Sequence, residues 1–238
     1  MTYAAQPIEI PSFELLNDKF LSLDIADRIR ELYDYFDKED VLVTTSFGNN
    51  SATLLHLVSQ VKPDQKVHFI NTGFHFPETL KYRDQLMQLL NLNLVELSPS
   101  AQIHEMTCHR RLWETHPDSC CYLNKILPLE PLKERHKVWM SGLNSSQTAN
   151  RQTMQIFEPP FAAEKIIRFN PLIDRTEAQI RQFRQSHQLP SHPLERQGYG
   201  SVGCEPCTSC DAGRDGRWKG QSKTECGLHT NIKTPEFS

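Results

Sequence analysis

Apolar residues follow two spacings along much of the chain, one typical of helices and the other of strands. Residues 1–40 carry apolar side chains at helical spacing, as in I-A-D-R-I-R-E-L-Y-D-Y-F, and predict a helical segment. The β-branched run V-L-V-T-T at 41–45 predicts a buried strand. A loop of small residues, S-F-G-N-N-S, separates this strand from A-T-L-L-H-L-V-S, which predicts a helix.

The alternation of strand and helix continues to about residue 187. Apolar runs at 67–72, 92–97 and 137–141 predict three more strands. Helices are predicted from Pro77, because proline is favoured in the first helical turn, and at 176–187. This alternation is typical of an α/β fold with a doubly wound, mostly parallel, Rossmann-like sheet.

The regular pattern ends near Pro190, and neither a repeat nor a low-complexity tract follows. The sequence therefore predicts three parts. They are an N-terminal helical segment (1–40), an α/β nucleotide-binding domain (41–200) and an irregular C-terminal extension (201–238).

Composition and charge exclude several classes of partner. Of the 238 residues 23% are charged, as in an ordinary soluble globular protein, and the net charge of −3 gives no general reason to bind nucleic acid or anionic membranes. No apolar run approaches the roughly 20 residues of a membrane span, and the first residues lack a signal-peptide pattern. We therefore expect a cytoplasmic protein.

The loop after the first strand is a candidate anion site. Parallel sheets bind ligands where strands end, and helix N-termini present free N–H groups to anions. Gly48 permits a close backbone approach there, and Ser46 offers a hydroxyl, although a plain connector is the alternative. The loop is not a Walker A motif. After the second strand, Thr72 and Gly73 could line the same site with Phe74, or form only a packed turn.

The seven cysteines are unevenly distributed, and a cytoplasmic protein rarely uses so many for disulfides. Cys120 and Cys121 are adjacent, and Cys204 and Cys207 lie far downstream in G-C-E-P-C. These thiolates would suit zinc or an iron–sulfur cluster. Adjacent cysteines favour a four-iron cluster, because neighbouring side chains diverge and can reach separate irons. Two inert buried pairs are the alternative.

Three residues accompany these motifs. Cys210 extends the downstream motif to C-x-x-C-x-x-C and is a further candidate ligand, whereas Cys108 is expected to be a packed residue or a stray thiol. Lys125 lies one helical turn beyond Cys121. It could bridge a cluster and a bound anion through charge-assisted hydrogen bonds, or be an ordinary solvated lysine.

Cys226 lies in a polar stretch, G-R-D-G-R-W-K-G-Q-S-K-T-E-C-G-L-H, near the end of the chain. A buried structural cysteine needs apolar neighbours, and this stretch offers mainly Trp218 and Leu228. Its basic residues would favour a thiolate, so Cys226 is a candidate reactive thiol. Its glycines would let the segment act as a lid that also meets a partner protein. A disordered basic terminus is the alternative.

Taken together, these motifs resemble the iron–sulfur adenylyl-sulfate (APS) reductases. The similarity runs from about residue 40 to His229. It rests on N-T-G-F-H-F-P-E-T, C-C-Y-L-N-K-I-L-P-L, H-P-L-E-R-Q-G-Y-G-S-V-G-C-E-P-C-T, G-R-D-G-R-W and K-T-E-C-G-L-H. The related PAPS reductases share the fold and the E-C-G-L-H motif but lack the cluster cysteines. The resemblance therefore implies APS as substrate, with PAPS reduction as the alternative.

The resemblance implies an adenine nucleotide alpha hydrolase-like fold and reduction of APS to sulfite and AMP in sulfate assimilation. Cys226 would be the nucleophile that forms an S-sulfocysteine, which thioredoxin or a glutaredoxin-like protein resolves. A [4Fe-4S] cluster would be held by Cys120, Cys121, Cys204 and Cys207. The expected substrate-binding residues are Ser46, Phe47, Gly48, Thr72, Gly73, Lys125, Arg151, Arg214, Arg217 and His229.

Two departures from the family pattern concern substrate preference. Asn144 and Ser145 stand where the family usually has adjacent arginines, and S-F-G-N-N-S lacks the acidic residue often found in that loop. Two other hypotheses are an ATP-using sulfur transferase or tRNA-thiolating enzyme, which would need S-G-G-x-D-S, and a non-catalytic iron–sulfur or zinc protein. The sequence leaves formation of a homo-oligomer open.

Overall fold

The computed structural model of the protein describes residues 10–161 and 164–228. The expected substrate-binding residue His229 lies outside the described residues, as do the ends of the predicted terminal segments. The helices are α1 (Phe13–Leu21), α2 (Ile25–Tyr35), α3 (Ser51–Val61), α4 (Pro77–Leu90), α5 (Ala101–His109), α6 (Leu112–Thr115), α7 (Pro117–Cys121), α8 (Leu127–Lys133), α9 (Ala149–Gln152) and α10 (Glu177–Ser186). The strands are β1 (Val41–Thr45), β2 (Lys66–Ile70), β3 (Asn93–Leu97), β4 (Val138–Met140), β5 (Phe157–Glu158) and β6 (Ile167–Phe169).

The strands form one sheet in the order β3-β2-β1-β4-β6-β5. Neighbouring strands are parallel except that β5 runs antiparallel to β6. The predicted doubly wound, mostly parallel sheet is therefore confirmed. The chain builds outward from β1 to β3 and then returns to place β4 beside β1. This reversal creates a switch point between β1 and β4, where sheets of this kind bind ligands.

Helices cover both faces of the sheet, and all five positions of β1 are buried. Val41 and Val43 are buried in the larger core cluster, which includes residues of α1, α2 and α3. Leu42 points to the opposite face and packs in a second cluster with Ile70 and Trp139. A central parallel strand is buried on both sides, so its sequence shows no alternation of buried and exposed positions.

Two predicted helices begin where the local chemistry indicates. Helix α4 begins at Pro77. Helix α10 follows a capping box, in which Thr176 Oγ1 accepts from the Gln179 backbone N–H and the Gln179 side chain accepts from that of Thr176. No helix within residues 10–161 and 164–228 combines the length and apolar character needed to span a membrane.

The structure also differs from the sequence prediction. Strands β5 and β6, with two and three residues, were not predicted because such short runs show no periodicity. Strand β2 ends at Ile70, and the expected strand residues 71 and 72 belong to the loop that follows. The helices from α5 to α8 were also missed, since they are short and interrupted by prolines and turns.

The N-terminal helices are joined to the rest of the fold by Arg28 on α2, which is fully buried. Its Nη1 and Nη2 donate to the Asp174 carboxylate at 2.7 and 2.8 Å. Its Nε donates to the Phe20 carbonyl at 2.8 Å, and Nη1 also donates to the Pro171 carbonyl at 2.9 Å.

We expect the substitution Arg28→Ala to lower the free energy of unfolding by about 3 kcal/mol, because it leaves Asp174 and the carbonyl oxygens without their donor. Urea denaturation followed by circular dichroism measures this change. The matched control is Arg30→Ala on the same helix, because Arg30 pairs with Asp27 and both side chains are about half exposed (60% and 49%). It should change stability by less than about 0.5 kcal/mol. Equal effects of the two substitutions would contradict the anchoring role of Arg28.

Candidate active site

A cavity opens at the carboxyl ends of β1, β2 and β4, next to the switch point. It contains about 1140 Å³ of space, including its mouth. Ser46 and Thr72 line it after β1 and β2, and Ser141 and Gly142 line it after β4. Residues 200–204 and a C-terminal segment, residues 214–228, complete its wall.

The loop after β1 brings backbone groups to this cavity. Gly48, Asn50 and Ser51 line it, and Ser51 is the first residue of α3. The Asn49 side chain ties the loop to residues 199–200 by donating to the Tyr199 carbonyl at 3.0 Å. Since the first N–H groups of a helix have no partner within the helix, this end of α3 can receive an anion.

The two predicted cysteine pairs are brought into one region. Cys120, Cys121 and Cys204 are buried and Cys207 is half-buried, and Thr72 Oγ1 lies 3.3 Å from Cys204 Sγ. Burial, followed by the charges of the neighbouring cysteines, raises the pKa of Cys120 to about 12, and burial with the nearby Cys204 raises that of Cys207 to about 11. As free thiols Cys120 and Cys207 keep their protons at neutral pH, and a bound cation would displace those protons.

A π-helical turn, Tyr122–Ile126, follows α7 and orients Lys125. Lys125 lines the cavity, and its Nζ lies 4.0 Å from Cys121 Sγ. Burial opposes the ammonium charge, but the sulfurs of Cys121, Cys204 and Cys226 favour it, and the pKa of Lys125 is raised. Lys125 is therefore a stable cation between the cysteines and the cavity.

Cys226 lines the same cavity and is half-buried. Burial favours its neutral thiol, but Lys125, a hydrogen bond from the Leu228 backbone and Arg217 favour the thiolate, and the pKa of Cys226 is lowered. A thiolate is the nucleophilic form of cysteine, so these neighbours favour the nucleophilic form of Cys226.

Trp218 organises the cations around Cys226. It is buried and its backbone is left-handed (φ = 50°). Its backbone N–H donates to the Cys207 carbonyl at 3.0 Å. The Arg217 guanidinium lies 4.5 Å from the centre of the indole ring, and Lys223 Nζ lies 5.5 Å from it. Trp218 thus links the C-terminal extension to the loop that carries Cys204 and Cys207. Its ring also orders Arg217 and Lys223 through cation–π contacts.

Lys125 and Arg217 have no carboxylate partner within the described part of the chain. Arg217 is nevertheless buried, and its Nε has no hydrogen-bond partner there. A buried guanidinium without a partner is costly, so such a group favours an anionic ligand. Arg214 also lines the cavity, but it faces the carboxylate of Glu225 at 3.3 Å.

The structure brings most of the predicted site residues together and separates two of them. Ser46, Gly48, Thr72, Lys125, Arg151, Arg214, Arg217, Cys204 and Cys226 all line the cavity. The Phe47 side chain is instead fully buried and packs edge-on against Phe69 at 5.1 Å. Gly73 is exposed and packs against His104, away from the cavity.

Residues 40–210 match the family described as the phosphoadenosine phosphosulfate reductase domain. Adenosine 5'-phosphosulfate reductase from Bacillus mycoides (strain KBAB4) is 39% identical over 199 residues, which cover 81% of this chain and 85% of that protein. The protein of the same name from Bacillus cereus (strain Q1) is 38% identical with the same coverage. The chain belongs to the phosphoadenosine phosphosulfate reductase family. The resemblance stated from the motifs is therefore confirmed.

Solved structures support the fold of this reductase family member. A phosphoadenylyl-sulfate reductase from Candida auris, solved as a phosphate complex, superposes with a TM-score of 0.73 at 23% identity, over 86% of this chain and 100% of that one. An NH3-dependent NAD synthetase from Campylobacter jejuni has the same general architecture, with a TM-score of 0.53 at 14% identity and 80% coverage of both chains. These similarities confirm the α/β fold.

Asn144, which stands where the family usually has an arginine, does not line the cavity of this reductase. Asn144 is fully buried, its Oδ1 accepts from the Ser146 backbone N–H at 2.9 Å, and its amide donates to the Arg175 carbonyl. It therefore caps the 3₁₀ turn at 145–147 and holds it against the segment before α10.

Sequence reasoning missed two groups of residues in this site. Ser141 and Gly142 could have been found, because they follow a predicted strand at the edge where ligands bind. Glu225 could not. Its carboxylate is buried against Arg151, and nothing in the local sequence indicates an ion pair between residues 74 positions apart.

Proposed function

We propose that this protein reduces adenosine 5'-phosphosulfate (APS) to sulfite and AMP, with electrons from a dithiol, in assimilatory sulfate reduction. The observation that carries the proposal is the Cys226 thiol beside Lys125 and Arg217, two cations that face the cavity without a carboxylate partner in the described residues. A reactive thiol next to unpaired cations is suited to an anionic electrophile such as a phosphosulfate. The two Bacillus proteins that carry the name APS reductase support the same substrate.

In the first step, the Cys226 thiolate attacks the sulfur atom of the phosphosulfate. A bond forms between Sγ and that sulfur, while the bond from sulfur to the bridging oxygen breaks and leaves its electron pair on AMP. The enzyme is left with an S-sulfocysteine. Lys125 and Arg217 offset the charge on the transferred group and on the departing phosphate, and the guanidinium fork suits their oxygens.

In the second step, a thiolate of the dithiol attacks Sγ of Cys226, and sulfite leaves with the electron pair of the broken S–S bond. The other thiol of the dithiol then attacks the mixed disulfide and regenerates the Cys226 thiolate. The dithiol is oxidised to a disulfide, and the sulfur of APS is reduced to sulfite. Thioredoxin or a glutaredoxin-like protein is the proposed partner, because the nucleophile must be reached by a protein dithiol.

The nucleotide would lie over the carboxyl ends of β1 and β4. The N-terminus of α3 and the backbone at Gly48 would hold the phosphate, with hydroxyl groups from Ser46 and Ser51 beside it. A β-carbon at position 48 would lie only 3.3 Å from the Val202 carbonyl oxygen and would crowd it. Gly48 therefore allows the loop and residues 200–203 to approach each other around the ligand.

A [4Fe-4S] cluster is the proposed cofactor, held by Cys120, Cys121, Cys204 and Cys207. The donor set fits this group, because it is made of thiols, is mostly buried and includes an adjacent pair. Within residues 10–161 and 164–228, no group of three or more His, Cys, Asp or Glu side chains is arranged to hold a metal ion, so the proposal is supported by the identity and burial of the thiols and not by their arrangement. When bound, the cluster would order the site and orient Lys125 toward the sulfate without changing its redox state. Lys125 lies between these cysteines and the cavity and would transmit that order to the substrate.

A steady-state sulfite assay tests the proposed function. Anaerobically purified protein is supplied with a reduced dithiol protein and with either APS or PAPS. We expect sulfite release from APS at a higher kcat/KM than from PAPS. Equal values for the two substrates would contradict APS as the preferred substrate, and sulfite from neither would contradict the reductase activity.

We also expect the substitution Gly203→Ala to raise KM for APS by about tenfold, because a β-carbon at this position would overlap the Arg217 guanidinium. The displaced arginine could no longer face the substrate anion. Steady-state kinetics measure the change. The double substitution with Arg217→Ala should be no worse than Arg217→Ala alone, since both remove the same contact. Additive effects would show that Gly203 acts through something other than Arg217.

A further inference from the structure

Glu225, the residue before the nucleophile, is buried and fully engaged by side-chain donors. Its Oε1 accepts from Arg151 Nε at 2.7 Å and from Thr148 Oγ1 at 2.8 Å. Its Oε2 accepts from Arg151 Nη2 at 2.7 Å and from Arg214 Nη2 at 3.3 Å. The contact with Arg151 is bidentate, which is the strongest geometry for a carboxylate and a guanidinium.

This contact leaves Arg151 little capacity for another anion. Its Nε and Nη2 edge faces Glu225, and its Nη1 donates to Gln147 Oε1 at 2.5 Å. The side chains of Arg151 and Glu225 are only 7% and 5% exposed. While the C-terminal segment is docked, Arg151 therefore cannot offer its fork to phosphate or sulfate oxygens, as Arg217 can.

Other contacts of the same segment are weaker or apolar. Lys223 pairs with Asp118, and although the Lys223 side chain is covered, the Asp118 side chain is 65% exposed, so water screens that end of the pair and weakens the contact. Leu228 packs against the cluster formed by Leu42 and Ile70 on one face of the sheet. Two contacts therefore hold the residues around Cys226 against the rest of the fold. Glu225 makes the buried charged contact, and Leu228 makes the apolar contact.

We propose that Glu225 and Arg151 form a clasp that docks the Cys226 segment over the cavity, so that Arg151 positions the nucleophile and does not bind substrate. This proposal depends on the proposed function in one respect only, which is that Cys226 is the nucleophile. Opening the clasp separates Glu225 from Arg151, Arg214 and Thr148 together. Cys226 is then released from the cavity, where a protein dithiol can reach it.

Trypsin cleavage after Lys223 measures docking without any turnover. The Lys223 side chain is only 6% exposed in the docked segment, so cleavage requires local opening. The substitution Glu225→Gln keeps the size of the side chain, removes its charge and leaves two arginines facing each other. We expect cleavage after Lys223 in the full-length protein to become at least about tenfold faster. Mass spectrometry follows the released peptide that begins at Thr224.

The matched control is Asp211→Asn, which breaks an exposed ion pair with Lys219 in the same extension. It should leave the cleavage rate after Lys223 within about twofold of the unsubstituted protein. Leu228→Ala should also accelerate cleavage, since it removes the apolar tether. An unchanged rate in Glu225→Gln, with acceleration in Leu228→Ala, would overturn the clasp and leave the apolar contact as the docking element.

A double-mutant cycle assigns the role of Arg151. If Arg151 acts through Glu225, then Arg151→Gln and Glu225→Gln each accelerate cleavage, and the double variant is cleaved no faster than Glu225→Gln alone. In the sulfite assay all three should lose about tenfold in kcat, with KM for APS within about threefold of the parent value. If Arg151 instead binds APS directly, Arg151→Gln should raise KM for APS about tenfold and leave the cleavage rate after Lys223 unchanged. That result would overturn the assignment of Arg151.

The two proposals can fail separately. Cleavage is measured on protein without substrate, so it tests the clasp even if no sulfite is released from APS. Conversely, the protein could release sulfite while Glu225→Gln leaves the cleavage rate unchanged. That result would support the proposed function and contradict the clasp.

Discussion

Sulfite release from APS is expected to fall by at least about 10⁴-fold in the variant Cys226→Ser, because a hydroxyl group at this position is protonated at neutral pH and is a poor nucleophile. The cations that lower the pKa of the Cys226 thiol cannot bring a serine hydroxyl into its ionised range. APS should still bind, because the cations that face the cavity are unchanged. The assay is the initial rate of sulfite formation with saturating dithiol.

The same experiment without the dithiol detects the intermediate. Protein incubated with APS alone should gain the mass of one SO₃ group, and peptide mapping should place it on Cys226. The matched control is Cys210→Ser, since Cys210 is an exposed thiol that does not line the cavity. It should keep both the activity and the adduct. An adduct on another cysteine, or full activity in Cys226→Ser, would remove Cys226 as the nucleophile.

Bound iron and sulfide should be lost from the variant Cys204→Ser, and sulfite release should fall by about 100-fold or more. Cys204 is buried beside Thr72, and both residues line the cavity. Loss of a cluster there would therefore disturb the substrate site as well as the metal site. Iron and sulfide analysis of anaerobically purified protein measures the first effect, and the sulfite assay measures the second.

Cys210→Ser again serves as the control, because the two cysteines belong to the same C-x-x-C-x-x-C motif. The exposed Cys210 Sγ donates to the Gln197 carbonyl at 3.1 Å, so it is engaged away from the buried cysteines. The Cys210 variant should keep its iron. If Cys210→Ser lost iron and Cys204→Ser kept it, Cys210 would be the ligand and the proposed set of four would be wrong.

The wall of the cavity follows from strand order, which the sequence indicated only in part. Strands β1, β2 and β4 were predicted from apolar runs, and the carboxyl ends of β1 and β2 were expected to share one edge. The placement of β4 beside β1, which creates the switch point, depends on parallel pairing that sets residues such as Val41 and Val138 opposite each other. Pairing between strands so distant in the chain leaves no periodic signal in either one.

Individual side chains show the same division. The motif S-F-G indicated a loop near the ligand, but it did not reveal that Phe47 turns into the core against Phe69. A phenylalanine beside a glycine can face a ligand or a core, and only the packing around it decides. Arg151 is a second case, since the motif indicated a cation near the site and the fold directed it to Glu225.

The sequence by itself determined the α/β class, the positions of the main strands and the types of residue at the site. Those features are encoded in local spacing, because helices and strands have fixed periods and because thiols and cations carry their chemistry wherever they lie. Only the tertiary structure decided which cations face the cavity unpaired and which hold Glu225. The physical reason is that desolvation and ion pairing depend on which groups the fold buries together, and those groups are far apart along the chain.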